Sequence, residues 1–186
     1  NCNHNQLTTL EGCPKEVGGN FNCNHNQLTT LEGCPKEVGD SFYCNDNLLT
    51  TLEGSPKKVG EHFICNKNKL TTLKGCTEEV GGGFSCLLNE LISLEGGPKK
   101  VGSFFDCSSN KLTSLEGYPK ELDGYFECWR NPIENIYNLF GSLKEFQDSM
   151  DYGYLRGTDI IKLRFKEALE EIGVKLPKEI KGYNYI

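Results

Sequence analysis

One interval governs this sequence: residue types recur every 21 positions, for six units, with no insertion. Cys stands at 2, 23, 44, 65, 86, 107 and 128, and Asn at 5, 26, 47, 68, 89, 110 and 131. Leu stands at 7, 28, 49, 70, 91 and 112 before Ile133 takes its place, and a second Leu series runs 10, 31, 52, 73, 94, 115. Gly holds 12, 33, 54, 75, 96 and 117, and Phe holds 21, 42, 63, 84, 105 and 126. The stretch NCNHNQLTTLEGCPKEVG at 1–18 returns at 22–39. A period near twenty that never slips means a solenoid: so short a unit cannot bury its own apolar face, whereas stacked units share one core.

The unit is G-x-x-F-x-C-x-x-N-x-L-T-x-L-x-G-x-P-x-x-V, as from Gly18 to Val38. Alternation in Phe21-Asn22-Cys23 sends Phe and Cys inward and Asn22 outward. One short strand per coil then pairs with its copies in a parallel sheet, about 4.8 Å apart, so six coils rise about 30 Å. Asn26 and its copies occupy the turn that leaves the strand, where an inward amide satisfies stranded backbone groups. Leu28, Leu31 and Val38 complete the core, and Gly33 permits a corner that a side chain would block.

This unit resembles the leucine-rich repeat, L-x-x-L-x-L-x-x-N-x-L, with Phe and Cys in two of the strand positions. Its shortness, and the Pro soon after Gly, resemble the bacterial and viral short type. The resemblance implies an α/β solenoid: short parallel strands on a concave face, an extended or polyproline-like convex side, and a helical C-terminal cap. The expected division is a solenoid over 1–133, six repeats and a partial seventh, and a capping segment over 134–186. Residue 1 falls inside a repeat, so the chain reads as a fragment of a longer protein.

Ten cysteines raise the question of disulfides. In-register strands hold Cβ atoms about 4.8 Å apart, wider than the roughly 3.8 Å a relaxed disulfide wants. The seven-membered column reads better as small buried hydrophobes, which suits a reducing cytoplasm. Cys13, Cys34 and Cys76 form a second, broken column, in which a Cys13–Cys34 bond is conceivable but unforced. His4 and His25 follow Cys2 and Cys23 by two residues, but the thiol faces the core and the imidazole lies past the strand. No zinc-finger spacing accompanies them, so no metal and no cofactor are expected.

Past Pro132 the composition turns helical. Ile136, Leu139, Phe140, Leu143 and Phe146 have helical spacing, which predicts two short helices interrupted near Gly141-Ser142. Thr158-Asp159 reads as a helix start, with Ile161, Phe165, Ala168, Leu169 and Ile172 as one apolar stripe ending at Gly173. The tail VKLPKEIKGYNYI returns as an extended piece, and the whole segment would cover the open end of the solenoid. The repeats together with NPIENIYNLF and YLRGTDIIKLRFKEALEEIG resemble leucine-rich repeat proteins of tailed bacteriophages. That resemblance implies a phage or prophage origin and brings no active site with it.

Binding by solenoids uses the strand face, whose outward residues are free of the core's demands. Its N-terminal coils are Asn-rich. Its C-terminal coils present Phe104, Tyr125 and Trp129 beside Asp106, Glu127 and Arg130, and Tyr43 and Ile64 extend the apolar strip toward the middle. Aromatic rings with an Arg are the makings of a recognition hot spot. These eight are the candidate contact residues, although Trp129, in the last incomplete coil, reads equally as a seat for the cap. The loop DYGYLRGTD at 151–159 could border the same site, but reads better as cap structure.

The net charge of −6 offers no field for nucleic acid or anionic lipid. No long apolar run or leader is present, so neither membrane nor export is expected. No Cys follows Cys128 and no His follows His62. Cysteine-based catalysis in the cap, as in bacterial effectors that fuse similar repeats to a ubiquitin ligase, is excluded by that inventory. Asp151 and Asp159 read as solvated carboxylates, and no phosphate-cradling loop appears. The expectation is a non-catalytic phage protein that binds a host or phage protein. The alternatives are an anti-defence protein sequestering a small molecule or nucleotide signal near the last coils and cap, and a structural repeat protein. Self-association is compatible with each.

Overall fold

The computed structural model describes residues 1–140, 155–156, 159–160, 162–180 and 184–186. The first 140 form a parallel β-solenoid, and each repeat contributes two short strands rather than one. β2 (Phe21–Asn22), β4 (Phe42–Tyr43), β6 (Phe63–Ile64), β8 (Phe84–Ser85), β10 (Phe105–Asp106) and β12 (Phe126–Glu127) make one six-stranded sheet, here sheet B. β1 (Glu16–Val17), β3 (Glu37–Val38), β5 (Lys58–Val59), β7 (Glu79–Val80), β9 (Lys100–Val101) and β11 (Glu121–Leu122) make sheet A. Register steps by one repeat throughout: Phe42 pairs with Phe63 and Val38 with Val59.

Sheet A corrects the expected polyproline-like side. That segment is extended, but it is laddered to its neighbours: Gly60 N–H donates to Val38 O at 3.0 Å and Lys57 N–H to Lys36 O at 2.8 Å. A polyproline helix would leave those groups to water. With coils in register the carbonyls of one repeat already lie within reach of the next, so pairing follows from stacking.

The core sits between the sheets. Phe42, Phe63, Phe84 and Phe105 are fully buried, and their rings form a column with centroids 5.1 to 5.5 Å apart. Cys23, Cys44, Cys65, Cys86, Cys107 and Cys128 are buried as well, and all ten cysteines, Cys13 and Cys34 included, are free thiols. Most column thiols lean on a carbonyl of the next coil, as Cys65 Sγ does on Ser85 O at 3.3 Å. The two Leu series and the Val series fill the remainder.

Leaving sheet B, each coil passes through one left-handed residue: His4, His25, Asp46, Lys67, Leu88, Ser109 or Arg130, with φ from 51 to 57°. Such a conformation costs a non-glycine residue about 1 kcal/mol, but it aims the next side chain, always Asn, inward. Asn47 shows what is gained. Its Nδ2 donates to Cys23 O, Cys44 O and Asn45 O at 3.0 to 3.3 Å, and its Oδ1 accepts from Leu28 N–H at 3.0 Å. One buried amide satisfies four backbone groups across two coils, and Asn26, Asn68, Asn89, Asn110 and Asn131 repeat the arrangement.

Two glycine columns set the corners. Gly33 and its copies have φ between 81 and 90°, which explains that column conformationally. The column of Gly39, Gly60, Gly81 and Gly102 is needed for space instead: a Cβ on Gly60 would strike Gly39 O of the preceding coil.

At the C-terminal end, Ile133, Ile136 and Phe140 continue the core, with α1 at Glu134–Tyr137. The expected helix over Leu143 and Phe146 lies outside the described residues, as do Asp151 and the first part of the 151–159 loop. α2 runs Lys162–Glu171 and buries Phe165, Ala168 and Leu169, with Gly173 at φ 74° just beyond its end. The expected helix start at Thr158-Asp159 is corrected at Asp159, Thr158 lying outside the described residues. Asp159–Ile160 is strand β14, antiparallel to β13 (Leu155–Arg156) and parallel to β15 (Asn184–Tyr185). Tertiary pairing with the tail overrides the local capping signal there. Among the described residues no helix is long and apolar enough to cross a membrane.

Candidate strand-face binding site

The sheet B ladder runs beyond its labelled strands: Phe105, Cys107 and Ser109 donate N–H to Tyr125, Glu127 and Trp129 carbonyls at 2.7 to 2.9 Å. Three outward positions per coil follow from alternation, giving a grid of three columns. The first holds Asn20, Ser41, His62, Gly83, Phe104 and Tyr125. The second holds Asn22, Tyr43, Ile64, Ser85, Asp106 and Glu127, and the third Asn24, Asn45, Asn66, Leu87, Ser108 and Trp129. Seven of the eight candidate residues lie on this grid, and Arg130 follows at the left-handed corner.

The first column carries an aromatic strip that repetition alone does not foretell. Phe104 and Tyr125 stack with centroids 5.6 Å apart and 17° between planes, and Phe104 meets His62 at 5.5 Å. His62 is two coils away, beyond the direct reach of an in-register neighbour. Gly83 closes the distance: the ring of Phe104 occupies the space a Cβ there would need. Gly83 N–H also donates to His62 Nδ1 at 2.8 Å, which fixes the imidazole against the strip. His62 and Gly83 are members of the site that the sequence reading did not single out. Their signal was present as an alternation of large and absent side chains down one column.

Tyr125 and Trp129 are 59% and 51% exposed. Tyr43 and Ile64 are half-buried neighbours in register on β4 and β6. Ser85 separates them from Asp106, so the apolar strip is interrupted in the second column. Asp106 and Glu127 face each other in register on β10 and β12. Asp106 Oδ1 accepts from Ser108 N–H at 2.9 Å, and Oδ2 lies 3.5 Å from Ser85 Oγ, whose closer acceptor is Asn66 Oδ1 at 2.7 Å.

The N-terminal corner column is polar and self-satisfied. His4 stacks on His25 at 4.2 Å, and Asp46 lies 3.7 Å from both His25 Nε2 and Lys67 Nζ. His25 is exposed while Cys23 is buried, so the Cys-x-His pair points to opposite sides of the chain. Among the described residues no three His, Cys, Asp or Glu side chains are placed to hold a metal. Burial pushes Cys44, Cys65, Cys86 and Cys107 well above the ordinary thiol range, and Cys34 up to about 12. At Cys86 the negative charge of Asp106 adds to burial.

Surface grooves lie along sheet A, one of them lined by Lys58, Gly60, Glu79, Gly81, Lys100 and Asp123. They are hollow because the glycine column lacks side chains, and Lys100 there is already paired with Glu121 at 2.9 Å. The sheet B face carries the aromatic and acidic groups. The architecture defines the chain as a 21-residue-repeat parallel β-solenoid. Compared with protein families, curated proteins and solved structures, the chain matches none.

Proposed function

We propose that this protein is a non-catalytic binding module of the leucine-rich repeat type, gripping a protein partner on the C-terminal half of its sheet B face. The observation that carries this reading is the strip His62–Phe104–Tyr125, with half-exposed Trp129 across the acidic column. Large rings held rigidly on an otherwise polar surface bury much area at low entropic cost when a partner arrives. The Asn ladder and the Phe column fix the backbone beneath them, so the face is preorganised. The unreactive state of the buried thiols supports a role in binding rather than nucleophilic catalysis. The phage resemblance of the sequence makes a bacterial host protein the expected partner, met in a reducing cytoplasm where free thiols persist.

The test is affinity capture from bacterial lysate with three baits: wild type, Phe104→Ala/Tyr125→Ala, and a sheet A control, Lys58→Ala/Glu79→Ala. Proteins retained by wild type and the control are expected to fall about tenfold or more on the aromatic variant. Equal retention by all three would overturn the assigned face.

A further inference from the structure

We propose that the acidic centre of this face seats an arginine side chain of the protein partner; the inference rests on reading sheet B as the binding surface. Asp106 and Glu127 lie on adjacent strands in register, about 4.8 Å apart along the stack. Like charges so placed are destabilising. Among the described residues neither carboxylate has an ion pair, whereas elsewhere charges on adjacent coils pair closely, as Lys99 does with Glu78 at 2.7 Å and Lys111 with Glu90 at 2.8 Å. The Glu127 carboxylate accepts no hydrogen bond from them either, although the Glu127 main-chain carbonyl takes Cys107 N–H.

A second observation points to the same place. Ser108 stands beside Asp106 in the outward row, its N–H held by that carboxylate, and is only 6% exposed. Its Oγ is buried with no hydrogen-bond partner. A buried hydroxyl left unmatched costs about 1–3 kcal/mol, and its free lone pairs can take a donor that reaches it. Asp106, Glu127 and Ser108 thus occupy neighbouring outward positions, each with acceptor capacity left over. Phe104 and Tyr125 flank them on one side and Trp129 on the other.

Guanidinium suits all of these features together. It is planar, carries five N–H donors in a fixed fork, stays charged, and stacks on aromatic faces. One group can span two in-register carboxylates, donate to a hydroxyl and lie against a ring. An ammonium offers the charge without the plane, and a neutral urea the plane without the charge.

Trp129 is the sole tryptophan and stands in the site, so its fluorescence reports occupancy. Acetyl-Gly-Xaa-Gly-amide peptides with Xaa as Arg, Lys or citrulline are titrated at low salt. Saturable binding of the Arg peptide is expected, with the Lys peptide weaker and the citrulline peptide about tenfold weaker or more. Asp106→Asn/Glu127→Gln should lose the Arg preference while its melting temperature holds or rises. No saturable Arg binding, equal binding of citrulline or lysine, or undiminished Arg binding by the double variant would overturn the proposal. If the Arg peptide fails while lysate capture still depends on Phe104 and Tyr125, the face stands and the arginine assignment falls. Failure of both removes the face as well.

Discussion

The ring of Phe104 lies over the backbone of Gly83, in the space a β-carbon would fill, and so reaches His62 at 5.5 Å. The contact joins three coils through one missing side chain. Gly83 is buried and its φ lies outside the left-handed region, so an Ala there meets no backbone strain, only the ring. Gly83→Ala is expected to turn Phe104 away while lowering stability by about 1 kcal/mol or less. The imidazole proton resonances of His62, shifted by the neighbouring ring in the wild type, should move toward exposed-histidine positions. Unmoved resonances would show that the strip does not depend on Gly83.

The two glycine columns separate conformational need from steric need. A β-carbon at Gly60 collides with Gly39 O, whereas at Gly18, the same station one coil from the N-terminal end, it meets nothing within 4 Å. Neither position has a positive φ. Gly60→Ala should therefore cost roughly 3 kcal/mol by forcing adjacent coils apart, and Gly18→Ala should be neutral or slightly stabilising through the unfolded chain. Urea denaturation of the two variants checks this; equal midpoints would mean that the coils can slide.

What repeats was readable in the sequence, and what varies was much less so. The inward Phe and Cys, the Asn at the turn and the Gly33 corner all follow from a fixed period, because every coil must match the next. Sheet A was missed because its Glu-Val and Lys-Val pairs are too short to show alternation; stacking, not local pattern, brings them into register. The start of α2 was misplaced because Asp159–Ile160 pairs with Asn184–Tyr185, a partner 25 residues away. On the candidate face the aromatic and acidic residues could be placed in columns by counting. Their mutual contacts could not, since Phe104 reaches His62 only by leaning across a glycine. The orphaned hydroxyl of Ser108 depends on the packing around it, and no spacing rule carries that.

The thiol column makes stability fall at alkaline pH. Buried Cys44, Cys65, Cys86 and Cys107 have pKa values well above the ordinary 9.0, chiefly through desolvation. Below that value folded and unfolded thiols are both protonated and stability is flat. Above it the unfolded chain releases protons that the folded chain keeps, so the fold loses about 1.4 kcal/mol per pH unit for each such thiol. Together they should give a steep decline from about pH 9, before the bulk of the lysines and tyrosines titrate. Urea midpoints at half-unit steps from pH 7 to 10 are expected to hold and then drop sharply. Cys65→Ala should start from a lower midpoint at pH 7, since it removes packed volume, but decline less steeply above pH 9. A flat wild-type profile to pH 10, or an equal slope in the variant, would show that the sulfurs are not in the dry interior.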